Sequence, residues 1–301
     1  MNTLQKTAIA AAISGLFAPA VFAQAAPAAA PEPSPITANV TIVNDYRYRG
    51  ISQSNFQPAI QGGFDYAHES GFYIGNWNSS ISWISDAYGP NGAVGGRGSS
   101  GTAMSAPVEM DFYAGFKKEL IGAGFASDFG VLQYYYPTSG VINSSGVATT
   151  PNTTELYAAQ NFTFGPLSGF VKFSYAVSTL FGNVNSQGSY YPDLTMNYDT
   201  GVWGLTANAH VGYQYVAGNQ NTGAAYTNYV GNSISGVSNS TLYSYTDWKL
   251  GVTKDFGGGL SGSVAYIGTN AASYKGAYSY VSPNGKNLGG STGIVSLTKT
   301  F

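Results

Sequence analysis

Only 9% of the 301 residues are charged, so the placement of those few charges carries most of the chemical information. Asp45, Arg47, Arg49, Asp65, Glu109, Asp111, Asp128, Glu155, Lys172, Asp193, Asp247 and Lys249 fall at alternate positions, on the parity opposite to the apolar residues around them. In an extended strand that parity places them all on one face. Acids outnumber bases in this set, which gives the face a modest negative balance. Two chemistries suit such a face. It can line a water-filled lumen and tune the passage of ions or solutes, or it can form an ion-pair lattice that satisfies the polar groups of a narrow interior. The two are compatible. Asp45, Arg47 and Asp65, on adjoining segments, are the expected cross-strand cluster.

Other chemistries find little support. A hydrolase needs a His paired with Ser or a carboxylate, and only His68 and His210 are present. His68 falls in an expected turn. His210 shares the polar face with Thr206, Asn208 and Gln214, so it is read as a wall group, and no catalytic residue is assigned. With no Cys, two distant His and no calcium-loop spacing of Asp, no metal site is expected. Gly257-Gly258-Gly259 precedes no helix and is a turn, not a phosphate cradle, so no cofactor is expected. A net charge of −2 leaves no nucleic-acid footprint.

The elements that must position these residues follow from periodicity. Residues 1–23 combine a short n-region containing Lys6, an apolar stretch and a Val21-Phe22-Ala23 ending. They read as a signal peptide cleaved after Ala23. Residues 24–37 are a Pro/Ala-rich periplasmic linker, and 38–301 form the folded unit. Twelve segments there alternate apolar and polar positions with the strand period of two: 39–49, 58–67, 72–83, 107–118, 124–136, 153–164, 168–181, 190–200, 202–217, 242–256, 259–270 and 290–301. In the first, Val40, Ile42, Tyr46 and Tyr48 share the apolar face. The segment 190–200, with Pro192, is the least regular; without it, or with a hairpin hidden in a long loop, the count becomes ten or fourteen.

The connections alternate strictly between short (68–71, 119–123, 165–167, near 201, 257–258) and long (50–57, 84–106, 137–152, 182–189, 218–241, 271–289). Tight turns at one end and long loops at the other are the layout of a transmembrane antiparallel β-barrel. Strands of ten or more residues match a tilted bilayer crossing, and an open sheet edge has no place in lipid. Aromatic residues at strand ends read as interfacial girdles, with Tyr134-Tyr135-Tyr136, Trp77 and Trp83 at the loop side and Tyr66, Phe116, Phe164 and Phe256 at the turn side. The last strand carries Val295, Leu297 and Phe301 on one face and ends in Phe301. This resembles the C-terminal signal read by the outer-membrane barrel assembly machinery, although Lys299 stands where that signal usually has an apolar residue.

A more specific resemblance lies in the opening strands: Val43-Asn44-Asp45-Tyr46-Arg47-Tyr48-Arg49-Gly50-Ile51-Ser52-Gln53-Ser54, then Pro58-Ala59-Ile60-Gln61-Gly62-Gly63-Phe64-Asp65-Tyr66, then Ser70-Gly71-Phe72-Tyr73-Ile74-Gly75 with Trp77. Over about forty residues this resembles the TorF family of proteobacterial porins. The resemblance implies an integral barrel of a Gram-negative outer membrane, with outer-membrane lipid, the assembly machinery and small hydrophilic solutes or ions as partners. Passive diffusion of such solutes is the expected function. A barrel hydrolase of lipid or peptide, or a structural or adhesive barrel acting through 84–106 and 218–241, are the alternatives; oligomeric state is not legible.

Overall fold

The computed structural model describes residues 34–89, 104–138, 142–144, 147–220, 230–271 and 273–301. The leader read over 1–23, most of the linker, and parts of the long loops over 84–106 and 218–241 lie outside them. Twelve strands close into one antiparallel barrel: β1 (Ile36–Val43), β2 (Ala59–Ala67), β3 (Phe72–Ser80), β4 (Val108–Gly122), β5 (Phe125–Tyr135), β6 (Thr153–Phe164), β7 (Leu167–Ala176), β8 (Tyr190–Asp199), β9 (Leu205–Gln214), β10 (Tyr245–Gly257), β11 (Leu260–Thr269) and β12 (Thr292–Thr300). Each strand pairs with its sequence neighbours, and β12 closes on β1 through the register Asn39↔Thr300 to Val43↔Ser296. The strand over 190–200 forms, with Pro192 near its loop end. Ile36 and Thr37, read as linker, already pair with Tyr66 and Asp65.

The period of two appears as two opposite surfaces. Ile42, Ile60, Val171, Leu250 and Val264 are each more than half exposed on the outside, whereas Glu109, Asp128, Glu155 and Asp247 are each 1% exposed on the inside. An outer belt this apolar is a surface suited to lipid rather than to water. Closure leaves no strand edge unpaired.

Two expectations are corrected. The first strand ends at Val43 rather than Arg49, and 44–58 fold into the barrel as a loop containing a small hairpin, Arg47–Tyr48 against Ile51–Ser52. Arg49 (φ 45°) and Gly50 (φ 79°) make its turn in left-handed backbone. The alternation through Arg49 belongs to this hairpin, so Tyr46 and Tyr48 do not share the outer face with Val40 and Ile42. Second, the loop-side aromatics are not a girdle. Trp77, Tyr134 and Tyr136 are buried in the interior, and only Tyr135 of the three tyrosines points out. The reason is the apolar packing beneath the infolded loop: the helix α1 (Trp83–Tyr88) and the segment after it bury Ile84, Met104 and Ala106 against these rings. At the turn side Phe116, Phe164 and Phe256 do face outward, and Tyr66 is half-buried.

A charged lumen beneath an infolded loop

The infolded loop is held by the residues whose charge made it look like wall. Arg47 donates through Nε to Asp45 at 2.6 Å and through Nη1 to the carbonyls of Gly50, Leu288 and Gly290 at 3.0, 2.9 and 3.1 Å. Asp45 also accepts from the hydroxyls of Ser52 (2.6 Å) and Ser54 (3.3 Å). Asp45 and Arg47 therefore fold the loop and dock it on the segment before β12. Asp65 does not join them: it lies toward the turn end of β2 and accepts from Tyr113 at 2.5 Å, so the expected cluster of three is not formed. Gly50 is pressed against the wall, where an added Cβ would come within 2.4 Å of the Thr269 methyl and 2.9 Å of Asp247 Cβ. Only glycine fits there.

From that turn Arg49 crosses the lumen. Its guanidinium donates to Glu155 of β6 at 2.7 Å and to Gln214 of β9 at 2.5 Å. It also lies 4.1 Å from the Tyr191 ring centroid and 4.9 Å from that of Tyr48, both favourable for a cation over a π face. Burial works against the guanidinium charge, but Glu155 beside it prevails and holds its pKa above the ordinary arginine value. On the other side of the loop, Tyr46 and Tyr136 each donate to Glu109 at 2.5 Å. Burial and that carboxylate push both phenols well above their usual pKa, so they remain donors at any ordinary pH.

The β7–β10 wall is more polar. Asp247 accepts from Tyr191 at 2.8 Å and meets His210 Nε2 at 3.0 Å, while His210 Nδ1 lies 2.9 Å from the Thr195 hydroxyl. Lys172 stands opposite Asp193 in register, and Lys249 opposite His210. Toward the turn end, Asp128 accepts from Tyr73 at 2.6 Å and faces Lys117 in register.

A cavity of about 90 Å³ lies between loop and wall. Of the sequence-identified residues it brings together Arg47, Arg49, Asp111, Lys172, Asp193, His210, Asp247 and Lys249. Asp45, Asp65, Glu109, Asp128 and Glu155 do not line it. Sequence reasoning missed the inward tyrosines Tyr73, Tyr113, Tyr134 and Tyr191, whose hydroxyls meet carboxylates, and Tyr157, which bonds to the Tyr73 hydroxyl. A signal was available, since Tyr113 shares parity with Asp111, Tyr157 with Glu155 and Tyr191 with Asp193. Several pack over glycine on the next strand: an added Cβ at Gly75 or Gly212 would fall within 2.3 and 2.1 Å of Tyr113 and Tyr191. In β12, Val295 and Leu297 are exposed outside, as is Phe301 beyond its end. Lys299 reaches the Gly258 carbonyl and lies 5.3 Å from the Phe301 ring centroid.

Fold and interior together define a closed twelve-stranded β-barrel with an apolar exterior and a charged, partly filled lumen. The chain belongs to the Gcw_chp family, described as a bacterial protein of unknown function, whose model matches residues 27–238 and 218–301. No curated protein matches the sequence. Among solved structures it is similar to the KdgM porin in complex with disordered oligogalacturonate (8% identity, TM-score 0.46, covering 88% of this chain and 98% of that one). It is similar to the NanC porin (8%, 0.48, 88% and 98%) and to the COG4313 outer membrane channel from Pseudomonas putida F1 (14%, 0.48, 90% and 97%). At such identities and scores these likenesses carry no argument about what this chain passes or binds.

Proposed function

We propose that the chain is a channel of a bacterial outer membrane, passing ions or small hydrophilic solutes by diffusion. The observation that carries this reading is the cavity inside the closed barrel, walled by Arg49, Asp111, Lys172, Asp193, Asp247 and Lys249 while the outer face is apolar. Charges buried in a barrel interior are tolerable where water reaches them. Long loops at one end and tight turns at the other support an outer-membrane orientation with both chain ends in the periplasm. The leader over 1–23, cleaved after Ala23, would export the chain. The outward face of Val295, Leu297 and Phe301 would present the closing strand to the assembly machinery. The motif resemblance to TorF-family porins fits the same reading, at a finer level than the family match gives.

Twelve strands fall between the filled interior of eight and the open channel of sixteen, and the infolded loop narrows the lumen further. Conductance is therefore expected to be small. Planar-bilayer recording on the purified full chain tests the proposal: discrete current steps support it, and their absence across many insertions overturns it.

A hydrolase is the second reading, carried by the line Thr195–His210–Asp247. Thr195, however, sits in mid-strand, paired in register with both Phe170 and His210. Its neighbouring amides belong to the ladders, which leaves none to hold an oxyanion. An ester-hydrolysis assay in micelles, lost in His210→Ala, would be the hydrolase outcome; no turnover is expected.

A further inference from the structure

We propose that two glycines, Gly212 of β9 and Gly75 of β3, set the aperture of the channel by letting the rings of Tyr191 and Tyr113 lie flat along the wall. The inference deepens the channel reading and rests on it. Tyr113 is paired in register with Gly75, and Gly212 is paired with Asp193, two residues from Tyr191. A Cβ on Gly212 would overlap Oη and Cζ of Tyr191 and stand 2.9 Å from Cε2. One on Gly75 would overlap Cε2 of Tyr113 and stand 2.6 Å from both its Cζ and Asp65 Oδ1. Neither glycine has left-handed backbone, so the ring, and not the chain conformation, excludes a side chain. Non-bonded carbons settle about 3.5–4.0 Å apart, so an alanine must lift the ring by about 1 Å or more. The strand ladder lies behind the ring, which leaves the lumen as the direction of movement.

Tyr113 and Tyr191 both line the cavity, so lifting either ring narrows it. Each is pinned at its far end: Tyr113 donates to Asp65 at 2.5 Å, and Tyr191 donates to Asp247 at 2.8 Å. The Arg49 guanidinium rests 4.1 Å from the Tyr191 ring centroid. The height of that ring over Gly212 therefore also fixes where the bar across the lumen stands. The same arrangement recurs toward the turn end. Tyr73, Gly115, Gly130 and Tyr157 form one register row across β3–β6, and the two rings reach toward each other over the glycines until their hydroxyls meet. With strands about 4.8 Å apart, two phenols bridge that row only by lying in the plane of the wall. Tyrosine over glycine is a repeated device of this wall, and at Gly75 and Gly212 it borders the open space.

Single-channel recording on the full chain tests the assignment, with each variant first checked for the heat-modifiable gel mobility of a folded barrel. Gly212→Ala and Gly75→Ala are each expected to lower the current step several-fold. Removing the displaced ring should reverse this, so that Gly212→Ala/Tyr191→Ala and Gly75→Ala/Tyr113→Ala conduct at least as well as the wild type. That recovery separates an aperture from a weakened wall, which the loss of a further buried ring would not repair. Wild-type steps in both single alanine variants, or double variants that stay as low as the single ones, overturn the inference. If the glycine variants do not fold, Tyr191→Ala and Tyr113→Ala decide: larger steps than wild type support it, and unchanged steps overturn it. A wild type that inserts without conducting overturns the channel reading and the inference with it. A conducting wild type whose step is indifferent to the glycines overturns the inference alone.

Discussion

The two sides of the lumen use the same residue types for different ends. Along the loop end of β2–β6 the interior is largely filled: Trp77, Leu132, Tyr134 and Tyr136 pack with Ile84 and Met104 from the infolded segments, Glu109 is closed off by two tyrosine hydroxyls, and Asp111 alone of the acids there reaches the cavity. Along β7–β10 the carboxylates of Asp193 and Asp247 face Lys172, His210 and Lys249 around open space. Glu109 and Asp193 are both buried acids on inward parity, yet one is a structural acceptor and the other faces the cavity. The difference comes from what lies across from them. A loop that folds inward converts the wall it packs against into core, and the acids that can meet a solute are those left at the edge of that packing, Asp111, Asp193 and Asp247.

Arg49 stands at the border between the two sides, and removing it should produce the largest effect. In Arg49→Ala the bar across the lumen is lost and Glu155 is left without its base. Single-channel conductance should rise several-fold, with the reversal potential in a KCl gradient moving toward cation preference. Stability should fall by about 3 kcal/mol, as when one partner of a buried ion pair is removed, read from denaturant unfolding in micelles. If conductance stayed at the wild-type level, Arg49 would not lie on the ion path, and the division drawn between the sides would fail. Gly50→Val comes next. The substitution meets Thr269 and Asp247 and must adopt a positive φ, so the hairpin cannot seat as it does. A loss of about 1–3 kcal/mol should accompany broadened, fluctuating current levels; steady wild-type steps would show that the hairpin seat does not set the aperture.

Much of the barrel was legible because lipid enforces a rule that sequence records directly: one parity apolar, the other polar, on every crossing. Strand number, closure and the sorting of turns from loops all follow from that rule. The infolding of 44–58 was not legible. Asp45, Arg47 and Arg49 continue the period of two past Val43, and a hairpin obeys the same period as the wall strand it replaces. What distinguishes them is Arg47 docking on carbonyls 288 and 290, a contact between the two ends of the chain that no local pattern encodes. The girdle reading failed at the loop side for the same reason: Trp77, Tyr134 and Tyr136 sit at strand ends in either case, and only the infolded loop turns those ends into core. Ten of the thirteen candidate wall residues do lie on barrel strands, but which of them meet the cavity depends on where the loop settles.

Tyr46→Phe and Tyr136→Phe test the filled side. Each removes one donor from Glu109 and should cost about 1–3 kcal/mol of unfolding free energy, because the carboxylate loses a partner it cannot replace inside packed aromatic rings. Conductance and ion preference should stay close to wild type, since Glu109 and Tyr136 do not line the cavity and Tyr46, which does, keeps its ring and loses only the hydroxyl turned to Glu109. A change in selectivity from either variant would mean that ions pass close to Glu109 as well.

The smallest effect is expected at His210. It lines the cavity and is held by Asp247 and Thr195, so His210→Ala trims the open side without removing a loop contact. Asp247 keeps its bond from Tyr191 at 2.8 Å, which limits the loss in stability to about 1 kcal/mol. The slightly wider cavity should raise conductance modestly, by less than Arg49→Ala does. The ordering is the informative part. If the histidine variant altered current more than the arginine variant, the narrowest point would lie at the wall of β8–β10, and the infolded hairpin would be a plug resting above the pore and not the bar that divides it.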